Sequence, residues 1–103
     1  MTQTNNQTID NMKRIDFSRI KLEVEPGRFE VLDQRRAFGN AIYGRSLTFE
    51  LDTLARKVYN APEGVETEFL DDEFALLIQT LTGQFIHSVI RDIKAAAVDV
   101  KGE

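Results

Sequence analysis

Ile20-Lys21-Leu22-Glu23-Val24-Glu25-Pro26-Gly27-Arg28-Phe29-Glu30-Val31-Leu32-Asp33 is the stretch whose reading decides the fold. Apolar and polar residues alternate on both sides of a Pro-Gly pair, the pattern of an antiparallel hairpin with one buried face. Proline's fixed φ keeps Pro26 out of the first central position of the primed turns, so a type II turn with Gly27 at positive φ, or a four-residue loop, is expected. In the register this implies, Val24 faces Phe29 and Leu22 faces Val31 on the buried side. Glu23 meets Glu30 on the wet side, with Lys21 or Arg28 near enough to offset the like charges.

Working outward, every later periodic segment is helical. Asp33 is placed to cap a helix over 34–43 in which Ala37, Phe38, Ala41 and Ile42 form a narrow apolar stripe. Gly39 lies inside it and costs helix propensity of about 1 kcal/mol relative to alanine, which points to close backbone packing there. Gly44 is placed to end it. Ser46 or Thr48 caps a second helix, with Leu51, Leu54, Ala55, Val58 and Tyr59 at helical spacing and Asp52 four residues before Arg56. Pro62 follows its end, and a short extended piece is expected over 65–68. Asp71 or Asp72 then caps a long helical region. Phe74, Leu77, Ile78, Leu81 and Phe85 cluster in one direction, while Ile86, Val89, Ile90, Ile93 and Ala97 cluster about 90° further round. Gly83 marks the change, so the helix either breaks there or carries an unusually wide apolar surface. The class implied is α+β: an N-terminal antiparallel β-hairpin packed against three or four helices.

A chain of 103 residues suits one domain, expected over 15–98, with 1–14 a flexible leader rich in Thr, Asn and Gln and 99–103 a frayed tail. Without cysteine there is neither a disulfide framework nor thiolate ligation of a metal. No signal-peptide core and no membrane-length apolar run is visible, so a cytoplasmic protein with no membrane partner is expected. Ten Lys and Arg stand against eight Asp and Glu over residues 1–60, and three against nine over 61–103, giving +2 and −6. That asymmetry argues against a general nucleic-acid coat and allows a local basic patch or head-to-tail contact between copies.

Chemistry-bearing constellations are sparse. His87 is the only histidine and points away from both apolar clusters, so it makes no zinc site by itself. Ser46 and Ser88 lack a nucleophile-elbow context, no glycine run has the spacing of a phosphate loop, and Asp71-Asp72-Glu73 lacks the alternation of a calcium loop. Neither a catalytic residue, a cofactor nor a metal is therefore assigned. Two surfaces remain. The rotated apolar set Ile86, Ile90 and Ile93 is the candidate for a protein partner or for self-association in a homo-oligomer. Arg35, Arg36, Asn40 and Arg45 are the candidate nucleic-acid patch, disfavoured because Glu50 and Asp52 open the second helix and would meet phosphates.

The segment IDFSRIKLEV…FEVLDQRRAFGNAIYGRS…LDTLARKVYN, from Ile15 to Asn60, resembles small uncharacterised proteins carried by prophages and mobile elements. Those have a short hairpin, a helix with a Gly-Asn-x-Ile/Leu-Tyr segment, a second helix and a carboxyl-terminal helix; here the segment is Gly39-Asn40-Ala41-Ile42-Tyr43. The resemblance implies an assembly or regulatory accessory protein and assigns no residue a role. The reading that follows is a non-catalytic protein-interaction or assembly accessory protein, with a nucleic-acid-binding regulator as the alternative.

Overall fold

The computed structural model describes residues 11–100. β1 (Met12–Ile15) leads into the hairpin of β2 (Ile20–Glu25) and β3 (Arg28–Leu32). α1 (Arg35–Tyr43), α2 (Phe49–Tyr59), β4 (Thr67–Leu70), α3 (Asp71–Leu81), α4 (His87–Ala96) and β5 (Val98–Val100) follow. The chain is α+β, with a hairpin near its N-terminus and helices packed on it. Its strands are divided between two antiparallel sheets: β2–β3, and a three-stranded sheet in the order β4-β1-β5.

The second sheet corrects the expected domain limits. Residues 12–14, assigned to a flexible leader, are most of the central strand, and residues 99 and 100, assigned to a frayed tail, belong to an edge strand. Residues 1–10 of the expected leader and the last three residues lie outside the described residues. Lys13 stands opposite Asp99 and Arg14 opposite Glu68, and each pair is also an ion pair. Opposite charges directly across a ladder support one register over its slipped alternatives. The expected extended piece at 65–68 lies two residues further on, as β4.

The hairpin forms with Gly27 at φ +81° in its turn and Glu25 opposite Arg28. One step from the turn the register departs from expectation. A bulge between Glu23 and Glu25 sets Glu23 opposite Phe29, Leu22 opposite Glu30 and Lys21 opposite Val31. Ile20 and Leu22 are buried, whereas Phe29 is 44% and Val31 62% exposed on the other face. The cause lies in α4, which runs along the open edge of β2. The buried Asp92 carboxylate accepts the Glu23 backbone N–H at 2.8 Å, and Arg91 donates to Asp92 (3.0 Å) and to the Glu23 carboxylate (2.8 Å). The other Glu23 oxygen accepts the Gly27 N–H at 2.7 Å. These donors, Gly27 first and Arg91 second, hold the Glu23 carboxyl below its ordinary pKa. With an extra residue at Val24, β2 pairs with β3 on one edge while its other edge presents the Glu23 N–H to α4.

Both sheets share one core with the inner faces of the helices. Phe17, in the link between β1 and β2, is fully buried with its ring edge-on to Phe38 of α1 and Phe69 of β4, each at 5.9 Å. Phe38 in turn meets Phe85 at 5.2 Å. Ile15, Ile20 and Leu22 from the strands and Ile42, Leu54, Val58, Leu77, Leu81 and Ile93 from the helices are buried in the same interior.

Local signals at the helix ends are met unevenly. Thr48 caps α2, accepting the Leu51 N–H at 3.1 Å, and Asp52 pairs with Arg56. Gln34 rather than Asp33 occupies the cap position of α1, and Asp33 accepts the Arg35 N–H from one residue further out. Gly44 ends α1 with right-handed dihedrals. Leu70 rather than either aspartate sits at the start of α3, its N–H taken by Glu73 at 2.8 Å. The carboxyl-terminal region breaks where the two apolar directions change: Gly83 adopts φ +93° between α3 and α4.

Two outcomes test this core. Phe17→Ala should cost about 3–5 kcal/mol in chemical denaturation, and Phe29→Ala, whose ring is half out of the protein, under about 1 kcal/mol. Gly83→Ala meets no steric neighbour within 4 Å, so only its backbone conformation resists the change. That conformation costs an L-residue roughly 1–2 kcal/mol, and the thermal midpoint should fall by several degrees.

Candidate interaction surface on the first helical pair

α1 and α2 approach unusually closely at one point. A Cβ built on Gly39 would stand 2.7 Å from Tyr59 Cβ and 2.9 Å from its backbone, so only glycine lets these two helices meet there. Their inner faces, Phe38 and Ile42 on one and Leu54, Ala55 and Val58 on the other, are spent on the core. The outer faces line a cleft of about 310 Å³ with Gly39 and Ala55 at its base, Tyr43 and Tyr59 beside it, and Asn40, Asn60 and Arg56 around them. Each tyrosine carries a guanidinium over its ring, Arg36 at 5.0 Å from Tyr59 and Arg56 at 5.8 Å from Tyr43. These contacts hold the rings in place while leaving Tyr43 56% exposed.

At the tip, the turn between the helices projects Leu47 and Phe49, which are 94% and 83% exposed. A shallow depression of about 450 Å³ runs from these two side chains past Tyr43 to Arg56. Ser46 Oγ donates to Tyr43 O at 2.6 Å and Leu47 N–H donates to Arg45 O at 3.0 Å, which tie the turn down. Two large apolar side chains held almost wholly in water by an ordered turn form a contiguous patch with Tyr43. Such patches mark interaction sites.

The residues expected to bind a partner are not brought together. Ile86 is 70% exposed at the start of α4, but Ile90 is 8% exposed and Ile93 fully buried. The second apolar direction is therefore core, covered by the hairpin against which α4 packs, and Ile90 and Ile93 are withdrawn as a docking face. The expected basic patch is also divided. Arg35 grips Asp33 through Nε (3.0 Å) and Nη2 (2.7 Å) and donates to Ala61 O at 2.8 Å, so it clamps α1 to the chain after α2. Arg36 lies on Tyr59, Asn40 lines the cleft, and Arg45 is exposed beside the tip with no ion pair among the described residues. Three of the four thus border the aromatic surface. His87 is exposed at the start of α4.

Leu47 and Phe49 were the residues sequence reasoning passed over. A signal existed. With Thr48 as the cap, Leu47 holds the position whose apolar residue ordinarily packs on the fourth helical residue, and that residue is Asp52. An apolar side chain at that point without a local partner is exposed unless something distant covers it.

Comparison with protein-family models, with curated proteins and with solved structures finds no match to this chain. No helix among the described residues is long and apolar enough to cross a membrane.

The Arg35 clamp has a pH signature. The Arg35 guanidinium, and next its backbone N–H, hold the Asp33 carboxyl down at about 2 from an ordinary 3.8. A depressed carboxyl stabilises the fold above its unfolded pKa and loses that contribution as pH falls through the folded value. Asp33→Asn should therefore lower stability at neutral pH and flatten the acid loss between 3.8 and about 2, as followed by denaturation at a series of pH values.

Proposed function

We propose that this protein is a non-catalytic protein-interaction module, an assembly or regulatory accessory of the kind that the prophage-like resemblance of Ile15–Asn60 implies. Its binding surface is the outer side of α1 and α2. The observation that carries the reading is the exposed tip of Tyr43, Leu47 and Phe49 on a tied-down turn. Aromatic side chains and arginine are enriched at protein interfaces, the aromatics because they bury much area for little lost side-chain freedom. Here the rings are already positioned by Arg36 and Arg56, which lowers the ordering cost on binding. Arg45 and Arg56 on one side of the apolar tip and Glu50 and Asp52 on the other favour a partner that presents apolar groups within a rim of mixed charge.

Nucleic-acid binding is the weaker reading. Arg35 is occupied by Asp33 and Ala61, and Glu50 and Asp52 stand in the first turn of α2 next to the tip. The phosphates of a nucleic acid would be repelled there.

The test is affinity capture from the organism that encodes the chain, with the wild type beside Leu47→Asp/Phe49→Asp. Both side chains lie in water, so the double variant should keep its denaturation midpoint within the equivalent of about 0.5 kcal/mol while losing the captured species. Retention of every captured protein by a folded double variant would exclude the tip as the binding surface. Capture of nucleic acid in place of protein, released by nuclease and by salt, would favour the alternative.

A further inference from the structure

The hairpin has two edges, and among the described residues only one is covered. α4 lies along β2, and Asp92 takes the Glu23 N–H that would otherwise face outward. Among the described residues β3 pairs with β2 alone, and Arg28 to Val31 are all exposed. An uncovered strand is a template for another strand unless its side chains oppose pairing. We propose that β3 pairs antiparallel with β3 of a second copy about a two-fold axis at Phe29, joining two hairpins into one four-stranded sheet.

The sequence around Phe29 commits the edge to this occupant. Arg28-Phe29-Glu30 is a charge palindrome in the antiparallel sense. Centred on Phe29, the pairing sets Arg28 against Glu30 of the other copy and Glu30 against its Arg28, with the two phenylalanines directly opposite. The alternative centre at Glu30 sets carboxylate against carboxylate, and any odd register puts Phe29 opposite a residue of the other face. Backbone direction agrees. Glu25 and Arg28 close the turn as a pair, so the polar groups of Arg28 face β2 and alternation turns those of Phe29 outward. The two Phe29 residues can then exchange both N–H···O bonds. Phe29 is already steadied by Lys21, whose Nζ lies 5.3 Å from the ring centre, and Val31 beside it is 62% exposed. Arg28 already holds Glu25 and Glu30 of its own chain, so pairing exchanges one carboxylate partner for another rather than stripping a charge.

A five-residue strand buries much less than the roughly 1,200 Å² of a tight interface, so the dimer is weak, forming at high micromolar to millimolar chain concentration. This surface is separate from the α1–α2 tip and does not depend on it.

Sedimentation equilibrium of the whole chain tests the pairing by charge exchange. Wild type should be a monomer–dimer mixture across that range. Arg28→Glu alone and Glu30→Arg alone each create two like-charged pairs and should weaken association at least tenfold. An equimolar mixture of the two variants restores opposite charges at both positions and should dimerise as wild type does, which also shows that both variants are folded. Leu47→Asp should leave association unchanged. A wild type that stays monomeric at millimolar concentration, a mixture that fails to associate, or a dimer lost on Leu47→Asp would each overturn the proposal.

Discussion

The whole arrangement turns on where one phenylalanine is held. Phe17 occupies the four-residue link between the two sheets, and its ring meets α1 through Phe38 and β4 through Phe69. Its backbone is fixed as firmly as its ring. Phe17 O accepts the Gln34 N–H at 2.8 Å, so the start of α1 is tied to the link. The neighbouring Asp16 carboxylate accepts the Ser18 N–H at 2.9 Å and the Ser18 hydroxyl at 2.6 Å, and that hydroxyl accepts the Gly64 N–H at 2.7 Å. The loop before β4 is thereby attached to the same short segment. The link thus joins the hairpin, the three-stranded sheet and α1 around one core, and the outer face of α1 is left to solvent.

Local chemistry was legible in the sequence where the deciding partner is close along the chain. The Asp52–Arg56 pair and the hairpin turn at Gly27 involve neighbours within a few residues and are present. Of the alternatives left open, the structure takes Thr48 over Ser46 as the cap and a break over an unbroken helix at Gly83. Gly39 also announced itself, because a glycine inside a helix has a cost that close packing against Tyr59 offsets. The second sheet was not legible. Met12-Lys13-Arg14-Ile15 has no alternating apolar signal, since its register is marked by ion pairs to residues far along the chain. The hairpin register failed for the same physical reason. Alternation alone assumes an unbulged ladder, and the bulge answers to Asp92, 69 residues from Glu23.

The candidate site was legible to a similar, partial degree. The two apolar directions around Gly83 were read correctly as a phase change, but periodicity does not say which direction a hairpin covers. The geometry assigns both to the core and leaves only Ile86 outside. Among the arginines, proximity of Asp33 to Arg35 was visible in the chain, whereas the Ala61 carbonyl that completes the clamp was not. What distinguishes a binding arginine from a structural one here is the second acceptor, and that is supplied by tertiary structure.

The same reasoning accounts for the charge asymmetry between the two halves of the chain. Lys13, Arg14 and Lys57 of the front half pair with Asp99, Glu68 and Glu73 of the back half, and Arg91 returns to Glu23. Each such pair is partly exposed and contributes little stability, about 0–1 kcal/mol. Their larger effect is on the field: they join the basic and acidic segments within one molecule, so the asymmetry needs no head-to-tail neighbour to explain it. Arg28, Arg35 and Arg56 are occupied by carboxylates of their own segment. Of the front-half cations this leaves Arg19, Lys21, Arg36 and Arg45 without an ion pair among the described residues. Arg36 lies over Tyr59, and Arg45 sits in the turn that carries Leu47. Of these only Arg45 stands at the end of the helical pair that carries the uncovered apolar surface, with Glu50 and Asp52 across from it. A partner with an apolar centre and a polar rim of both charges would satisfy that surface.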